Sequence, residues 1–442
     1  MADNGWVTLP FDQAVLVNPP VRLERGEVYP FVDMQAVDPG SRSVGPSELR
    51  EFKGGGSRFM NGDTLMARIT PCLENGKIAR YAASKAEEVG HGSTEFIVIR
   101  GRPNVTDNGF AYYLTKWDGV RQYCISQMTG SSGRQRVPTS ALSHREVTIP
   151  PLKEQEAIAC ILGTLDDKIE LNRQMNRTLE EMARAIFKSW FVDFDPVRAK
   201  AAVRREHPKW TDEQVSRAAC PNLKPEIAAL FPDSFEDSEL GEIPKGWSVE
   251  SLDKTAHFLN GLALQKYPPT GEETLPVIKI AQLRSGNTTG ADRCNIDLPV
   301  EYVVEDGDVL FSWSGSLECV LWSGGNGALN QHLFKVTSAQ YPKWFYYLWI
   351  NHHLPQFRHI AAGKATTMGH IQRHHLSDAK VIVPGQPLVS LTSDLLGSII
   401  ERVVHNNIQS RTLAALRDTL LPKLISGELR VPDAERIAGR CV

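Results

Sequence analysis

The first chemistry that the sequence suggests is methylation of adenine, because residues 18–21 read Asn-Pro-Pro-Val. Enzymes that methylate the exocyclic amine of adenine carry Asn-Pro-Pro followed by an aromatic residue, on which the flipped base stacks. Val21 has no ring to stack on. Residues 51–59 contain three glycines, but they follow no apolar strand and open no apolar helix, as a loop binding S-adenosylmethionine would. The tetrapeptide is therefore interpreted as a turn.

Other candidate catalytic groups are incomplete. His370 and His374 have the spacing of a zinc-binding pair on a helix, but no Cys or acidic cluster lies near them in the sequence. Asp193 and Asp195 have no Glu-x-Lys companion of the kind that nucleases use, and no phosphate-binding Gly-x4-Gly-Lys-Ser/Thr loop occurs. The sequence thus predicts neither a catalytic residue nor a metal ligand, and no cofactor of its own.

Two loops that contain glycine and basic residues are better suited to binding DNA. Side chains at base edges read a sequence, and contacts to phosphates hold the register. Arginine suits guanine or phosphate, and glutamine suits adenine. The candidates in residues 127–140 are Arg134, Gln135 and Arg136, and those in residues 359–375 are Lys364, Thr366, Thr367, His370 and Arg373. Trp313 and Trp322 are expected to pack in the core, as aromatic residues in a strand pattern usually do.

Composition limits the class of protein. The 442 residues are 41% hydrophobic and 23% charged, with a formal net charge of −3. This is ordinary globular composition, and the near-neutral charge suggests that partners supply part of any affinity for phosphates. No apolar run reaches the roughly 18 residues of a membrane helix, and no export signal opens the chain. The seven scattered cysteines form no Cys-x-x-Cys pair, so we expect reduced thiols and a cytoplasmic protein.

The chain repeats itself at long period, and the two basic loops fall at the same place in each copy. Five segments of the first copy match five of the second in the same order. The matches are residues 5–18 with 246–260, 29–37 with 275–283, 61–69 with 306–314, 145–152 with 379–386, and 162–182 with 396–416, the last two at a constant offset of 234.

Each copy combines a strand-rich part with a long helical tail. Short apolar runs between Gly, Asn and Pro clusters predict strands, and the tails follow a heptad pattern. The first tail has apolar positions at 158, 162, 165, 169, 179, 183, 186 and 190, and the positions 234 residues later are mostly apolar in the second tail, the exceptions being Thr392 and Arg417. Asn172 and Asn406 fall at equivalent points near the two centres. In an antiparallel pair they would meet, and a buried Asn pair would set the register of the helices.

The predicted fold class is therefore α+β, with two repeated mixed α/β domains separated by a pair of long antiparallel coiled-coil-like helices related by a pseudo-two-fold. Five prolines punctuate the charged segment between the copies, which we predict to be a linker with short helices. The predicted boundaries are 1–150 for the first domain, 151–195 for the first helix, 196–240 for the linker, 241–385 for the second domain, 386–430 for the second helix and 431–442 for a tail.

Three stretches resemble the specificity (S) subunit of type I restriction-modification enzymes. Residues 150–201 begin Pro-Pro-Leu-Lys-Glu-Gln and match the opening of that family's first conserved helix. Residues 229–252 match its entry into the second target-recognition domain, and residues 90–100 contain a Ser-Thr-Glu-Phe core frequent in its recognition domains. The order of two recognition domains and two conserved helices covers nearly the whole chain.

The resemblance implies a non-catalytic DNA-reading subunit. Each recognition domain would read one part of a split target, and the helix pair would act as a ruler between the parts. Two methylation subunits would dock on the helices and methylate adenine, and restriction subunits would join to cut double-stranded DNA. S-adenosylmethionine, ATP and Mg²⁺ would belong to these partners.

One departure and two alternatives qualify the resemblance. The second tail reads Pro-Leu-Val-Ser-Leu where the first has Lys-Glu-Gln-Glu, so its docking surface is expected to differ. The alternatives are a methyltransferase with its own recognition domain and a coiled-coil adaptor that does not bind DNA. Methyl transfer by the isolated chain would favour the first alternative.

Overall fold

The computed structural model describes residues 5–131, 133–363 and 369–439. The chain divides into two compact units. The first comprises Met1–Leu171 together with Thr412–Val442, and the second comprises Asn172–Arg411. Both long helices cross the division, so each unit contains a part of both.

Short strands and four short helices build the first unit before the long helix begins. The strands are β1 (Val7–Pro10), β2 (Val15–Val17), β3 (Val28–Val32), β4 (Ser43–Val44), β5 (Glu48–Glu51), β6 (Ser57–Met60), β7 (Thr64–Ala67), β8 (Ile78–Tyr81), β9 (Val89–Gly92), β10 (Phe96–Gly101) and β11 (Glu146–Ile149). The helices are α1 (Phe11–Ala14), α2 (Asn108–Lys116), α3 (Asp118–Ser126) and α4 (Thr139–Ser143).

These strands form two sheets and a two-stranded ribbon. One sheet has the order β2-β10-β7-β8-β4, the other has the order β5-β3-β9-β6, and β1 pairs with β11. Strand β3 runs parallel to β9, and β4 runs parallel to β8. Ile97 and Ile99 of β10 pack into one apolar core, while Phe96 and Val98 pack into another. The continuous apolar run of β10 therefore reflects a strand that is buried on both faces.

The long helix α5 (Leu152–Phe187) ends in a π-helical turn, Lys188–Val192. Three short helices follow in the segment predicted to be a linker: α6 (Asp195–Glu206), α7 (Asp212–Ala219) and α8 (Pro225–Ala228). A buried charged residue links α6 to α8. Lys200 is buried and its ammonium donates to the carbonyl of Ala228 at 3.0 Å, at the C-terminal end of α8. A cation there satisfies a carbonyl that the helix leaves unpaired.

The second unit repeats the elements of the first. Its strands are β12 (Phe235–Ser238), β13 (Gly241–Pro244), β14 (Ser248–Ser251), β15 (His257–Asn260), β16 (Thr274–Ile278), β17 (Arg293–Asn295), β18 (Val303–Val304), β19 (Val309–Ser312), β20 (Cys319–Leu321), β21 (Gly327–Leu329), β22 (Leu333–Thr337) and β23 (Lys380–Val383). Its helices are α9 (Leu252–Thr255), α10 (Ile280–Ser285), α11 (Lys343–Ala362), α12 (Arg373–Asp378) and α13 (Gln386–Thr392). A π-helical turn, Ser393–Gly397, joins α13 to the long helix α14 (Ser398–Ile425), and α15 (Val431–Ala438) belongs to the first unit.

The strand orders of the two units correspond. The second unit has β15-β22-β19-β20 where the first has β2-β10-β7-β8, and β17-β16-β21-β18 where the first has β5-β3-β9-β6. The pair β14-β23 corresponds to β1-β11, and β16 runs parallel to β21 as β3 does to β9. The internal repeat seen in the sequence is thus a repeat of topology.

The same turn starts the central strands β7 and β19. Gly62 and Gly307 have φ of 88° and 91°, which favour glycine. The next residue, Asp63 or Asp308, accepts a hydrogen bond at 2.8 Å from the backbone N–H three residues earlier. Asp63 also binds Arg100 at 2.6 Å. The Asn-Gly-Asp and Asp-Gly-Asp repeats are therefore explained by a turn that each central strand needs.

The predicted heptad positions of α5, and of α13 to α14, are all buried or half-buried. Within the second unit, the side-chain amide of Asn406 donates to Asn176 at 2.8 Å. Asn172 donates to Gln409 at 3.0 Å and to the backbone carbonyl of Asn406 at 3.4 Å. Asn172 and Asn406 are thus both buried on the seam, and the side chain facing Asn406 is that of Asn176. That these residues set the register stays a prediction.

Gln155 explains the Glu-Gln sequence at the start of the first tail. Its side chain is fully buried and accepts from the N–H of Asp107 at 3.0 Å. It donates to the carbonyls of Val105 and Pro150 at 2.9 and 2.8 Å. The repeat places buried Val389 at the same point of α13. The departure of the second tail is therefore a change in how the helix is anchored, from polar to apolar.

In the part of the chain that the structure describes, no helix is both long enough and apolar enough to span a bilayer.

Candidate nucleic-acid interface

The basic loop of the first unit is docked as an extra strand beside the end of β7. The N–H of Thr70 donates to the carbonyl of Gln135 at 3.0 Å, and the N–H of Val137 donates to the carbonyl of Arg68 at 2.8 Å. Between them Ile69 and Arg136 form a β-bridge. The loop backbone is thereby held in an extended form from which alternate side chains point to opposite faces.

The loop of the second unit is docked in the same way beside the end of β19. The N–H of Gly315 donates to the carbonyl of Gly369 at 2.8 Å, and the N–H of Ile371 donates to the carbonyl of Trp313 at 2.9 Å. Ser314 and His370 form the β-bridge. We call residues 134–137 and 369–371 the docked loops of the two units.

A third segment completes each surface. In the first unit the N–H of Arg68 donates to the carbonyl of Glu95 at 2.9 Å, and in the second the N–H of Trp313 donates to that of His332 at 3.4 Å. Glu95 belongs to the Ser-Thr-Glu-Phe segment, and His332 occupies its place in the second copy. Sequence reasoning missed Glu95 and His332, although their place immediately before β10 and β22 was a usable signal.

The side chains of the first docked loop differ in their exposure and in whether they already pair with another side chain. Arg136 is exposed, and its guanidinium donates to the Glu95 carboxylate at 2.7 to 3.0 Å, which raises the pKa of Arg136 above its ordinary value. Arg134 is also exposed, and its side chain has no hydrogen bond or ion pair with another described residue. Gln135 is half-buried. An incoming phosphate would meet Arg134 directly and would compete with Glu95 for Arg136.

The second docked loop is lined by aromatic rings. The half-buried Trp313 ring lies 5.7 Å from His332 and 6.4 Å from His370, centroid to centroid. Its Nε1 donates to Asn260 at 2.9 Å. The guanidinium of Arg373 lies 5.7 Å from the centroid of the buried Phe334 ring, and the residue is exposed. Lys364, Thr366 and Thr367 lie outside the described residues.

Trp313 and Trp322 have different environments. Trp322 is buried and donates to the carbonyl of Gly325 at 2.6 Å, so the expectation of core packing is correct for it. Trp313 contacts the core through Phe334 but lies half-exposed beside the docked loop. The alternation along β19 puts Trp313 on the same face as Val309 and Phe311, which are buried in the core, and Trp313 lies just beyond the end of the strand.

The groups that the sequence suggested for catalysis have structural partners. Asn18 adopts a left-handed backbone, with φ of 49°, and accepts from the N–H of Val98 at 2.9 Å. Asp193 pairs with Lys188, and Asp195 lies in the first turn of α6. Among residues 5–131, 133–363 and 369–439, no group of three potential metal ligands comes together.

Comparison with known proteins identifies this architecture. Residues 59–181 match the family described as the type I restriction modification DNA specificity domain. The chain is 25% identical over 383 residues to the type I restriction enzyme HindI specificity subunit of Haemophilus influenzae, covering 76% of this chain and 81% of that one. It is 26% identical over 365 residues to the MjaIX specificity subunit of Methanocaldococcus jannaschii, covering 76% of each.

A solved structure supports the fold. The crystal structure of a type I restriction-modification S subunit from M. genitalium matches with a TM-score of 0.50 and 13% identity, covering 96% of this chain and 97% of the other. Its likeness extends over both units and both long helices of the present chain. Together with the matches in sequence, this confirms the resemblance drawn from the three motifs. In sequence and in fold, the chain is similar to the specificity subunits of type I restriction-modification systems.

Proposed function

We propose that the chain is the non-catalytic, DNA-reading subunit of its complex and works in the cytoplasm. In this proposal it reads a bipartite target in double-stranded DNA, one half with each strand-rich domain. The observation that carries the proposal is the duplication of the docked loop. Two loops with polar or basic side chains are held by the same backbone hydrogen bonds at the same place in each unit. A duplicated surface with different side chains suits two different half-sites.

The proposal divides the work among the side chains of the docked loops. Arg134 and Arg373 are suited to phosphates or guanine, and Gln135 is suited to adenine. His370 can donate a hydrogen bond to the second half-site, and the Trp313 ring, whose N–H donates to Asn260, can pack on its sugar and base edges. In the first unit, contact between Arg136 and DNA requires Glu95 to be offset or displaced.

The long helices are the proposed ruler between the half-sites. The pairing of their seams by apolar and amide side chains favours a stiff rod. Two methylation subunits would dock on these helices and methylate adenine, and restriction subunits would join the assembled complex. S-adenosylmethionine, ATP and Mg²⁺ would be held by those partners.

Reconstitution with the partner tests the division of labour. The purified chain alone is expected to transfer no methyl group from radiolabelled S-adenosylmethionine to DNA. Adding the methylation subunit encoded with it should restore methylation at one bipartite sequence, which sequencing of modified bases would reveal. Methyl transfer by the isolated chain would contradict the proposal, as would methylation whose sequence preference is unchanged when this chain is omitted.

Domain exchange tests which part reads which half-site. Replacing residues 1–150 with the corresponding part of another specificity subunit should change one half-site and leave the other half-site and the spacer unchanged. A change in both halves would contradict separate reading by the two domains.

Helix insertion tests the ruler. Seven residues inserted after Leu171 and seven after Arg411 preserve the heptad phase of both helices and lie level with each other in the antiparallel pair. Seven residues lengthen a helix by about 10.5 Å, which is roughly three base pairs at 3.4 Å each. The expected result is a longer spacer between unchanged half-sites. Changed half-sites with the old spacer would contradict the ruler.

Single substitutions test the docked loop itself. Arg134→Ala and Arg136→Ala should each weaken DNA binding by the assembled complex about tenfold, as loss of one charged contact does. Arg50→Ala is the matched control, because Arg50 is an exposed arginine of the same unit that pairs with Glu48. Binding that falls equally for all three variants would contradict a specific role of the loop.

A further inference from the structure

The two long helices are paired by a buried ion pair in the first unit. Arg417 of α14 donates to the Asp166 carboxylate of α5 at 2.6 Å, and the Tyr113 hydroxyl of α2 donates to its other oxygen at 2.7 Å. Asp166 and Arg417 are 4% and 6% exposed. Arg417 also pairs with the exposed Asp418 at 2.8 Å. Charges buried this far from water are tolerated only with such partners.

The second unit has no charge at the corresponding place among its described residues. The offset of 234 that relates the two tails takes Asp166 to Ile400 and Arg417 to Ala183. Ile400 and Ala183 are 2% and 1% exposed and belong to one apolar core. The antiparallel register that pairs Asp166 with Arg417 brings Ala183 level with Ile400.

Pairing of either helix with a copy of itself would therefore be defective. In the same register, two α5 helices would each set Asp166 against Ala183 of the other chain. Two α14 helices would each set Arg417 against Ile400. Each of these arrangements buries two charges without a partner. Pairing of α5 with α14 leaves no such charge unpaired, because Asp166 and Arg417 pair with each other. Asn172 and Asn406 cannot make this distinction, because they are equivalent in the repeat.

We propose that the Asp166–Arg417 pair makes α5 pair with α14, and excludes dimers of the chain in which each long helix pairs with a copy of itself. A duplicated chain needs such a device, because its two tails share one heptad pattern and would otherwise pair in either combination. One pair of opposite charges, with one charge on each tail, is enough to favour pairing of the two different tails over pairing of two copies of the same tail. This preference of α5 for α14 would hold whether or not the chain binds DNA.

The test compares full-length chains after refolding at high concentration. Asp166→Ile with Arg417→Ala gives the first unit the residues of the second and removes the distinction. Two differently tagged forms of this variant, refolded together, should yield a mixed dimer fraction several times that of the wild type by pull-down and light scattering. The control is Asp306→Ala with Arg411→Ala, which removes an ion pair at 2.7 Å between α14 and the strand-rich part of the second unit. It should not raise exchange.

A near-isosteric variant keeps the test decisive if the first variant folds poorly. Asp166→Asn with Arg417→Gln removes both charges but leaves an oxygen for the Tyr113 hydroxyl, and it should also raise exchange above that of the wild type. Exchange by the folded variants that is no greater than that of the wild type would overturn the proposal. Equal exchange by the Asp306 and Arg411 control would overturn it too, because any weakening of the chain would then suffice.

Discussion

Asp166 in the first unit lies between Arg417 and Tyr113, whereas Ile400 at the same place in the second unit lies in an apolar core. The backbones that carry these residues repeat, and so do the flanking heptads. The neighbouring helix shows the same contrast: Lys116 ends α2, and the repeat puts fully buried Ile350 in α11. The difference teaches that a duplicated fold can keep its topology while one copy has charged side chains at positions where the other has buried apolar ones.

The docked loops of the two units also differ in the side chains around them. The first pairs Arg136 with Glu95, and the second sets His370 and His332 around Trp313. Their backbone hydrogen bonds are the same, so the scaffold does not dictate the side chains. Such divergence on a common scaffold is what the proposed reading of two unlike half-sites would require.

The largest effect is expected from breaking the buried charge pair. Arg417→Ala should lower the free energy of unfolding by about 3–5 kcal/mol, because it leaves Asp166 buried without its cation. Guanidinium or urea titration of the wild type and the variant measures this difference. A loss below about 1 kcal/mol, the usual value of an exposed pair, would mean that water reaches Asp166 in the folded state.

The next largest loss of stability is expected when the start of α5 is given the residue that the second unit carries at the same place. Gln155→Val introduces the residue found at Val389 and leaves one N–H and two carbonyls of the first unit unpaired. We expect a loss of about 2–3 kcal/mol in the free energy of unfolding. Leu152→Val, at an exposed position of the same turn, is the control and should cost little. Equal unfolding midpoints for the two variants would contradict the anchoring role of Gln155.

Lys116→Ile should stabilise the chain, because it replaces a half-buried cation with the residue of the second unit. Burial, followed by the charge of Arg417, lowers the pKa of Lys116 from 10.5 to about 8. A base whose pKa is lower in the folded state costs stability in full below pH 8, and the cost fades as pH rises towards 10.5. We expect a gain of about 2 kcal/mol at pH 7 that shrinks above pH 8. Chemical denaturation at pH 7 and pH 10 measures it, and a gain independent of pH would exclude the charge as its cause.

The smallest effect is expected at the partly exposed pair of the second unit. Arg411 binds Asp306 through the two terminal guanidinium nitrogens, at 2.7 and 2.8 Å, and the two side chains are 38% and 23% exposed. Arg411→Ala should lower the free energy of unfolding by about 1 kcal/mol. The loss should diminish in high salt, which screens exposed charges. A loss as large as that of Arg417→Ala would remove the contrast between buried and exposed pairs.

Much of the fold could be predicted because its signals are local and repeated. The heptad positions of both tails are buried or half-buried as predicted, and the matched segments 61–69 and 306–314 contain the same turn and the strand that follows it. The partner of Asn406 was harder to predict. Asn172 and Asn176 both lie on the seam one turn apart, and only the stagger of the helices decides that Asn176 faces it.

The sequence by itself determined the duplicated topology, the two helices and the place of the docked loops, because periodicity and repetition are properties of the chain alone. Only the tertiary structure decided that Arg417 pairs with Asp166 and that Glu95 forms an ion pair with Arg136. It also decided that Gln155 anchors a helix within the chain rather than facing a partner subunit. Each of these contacts joins residues far apart in the chain. Their energies depend on burial and on the distance between charges, which no local pattern records.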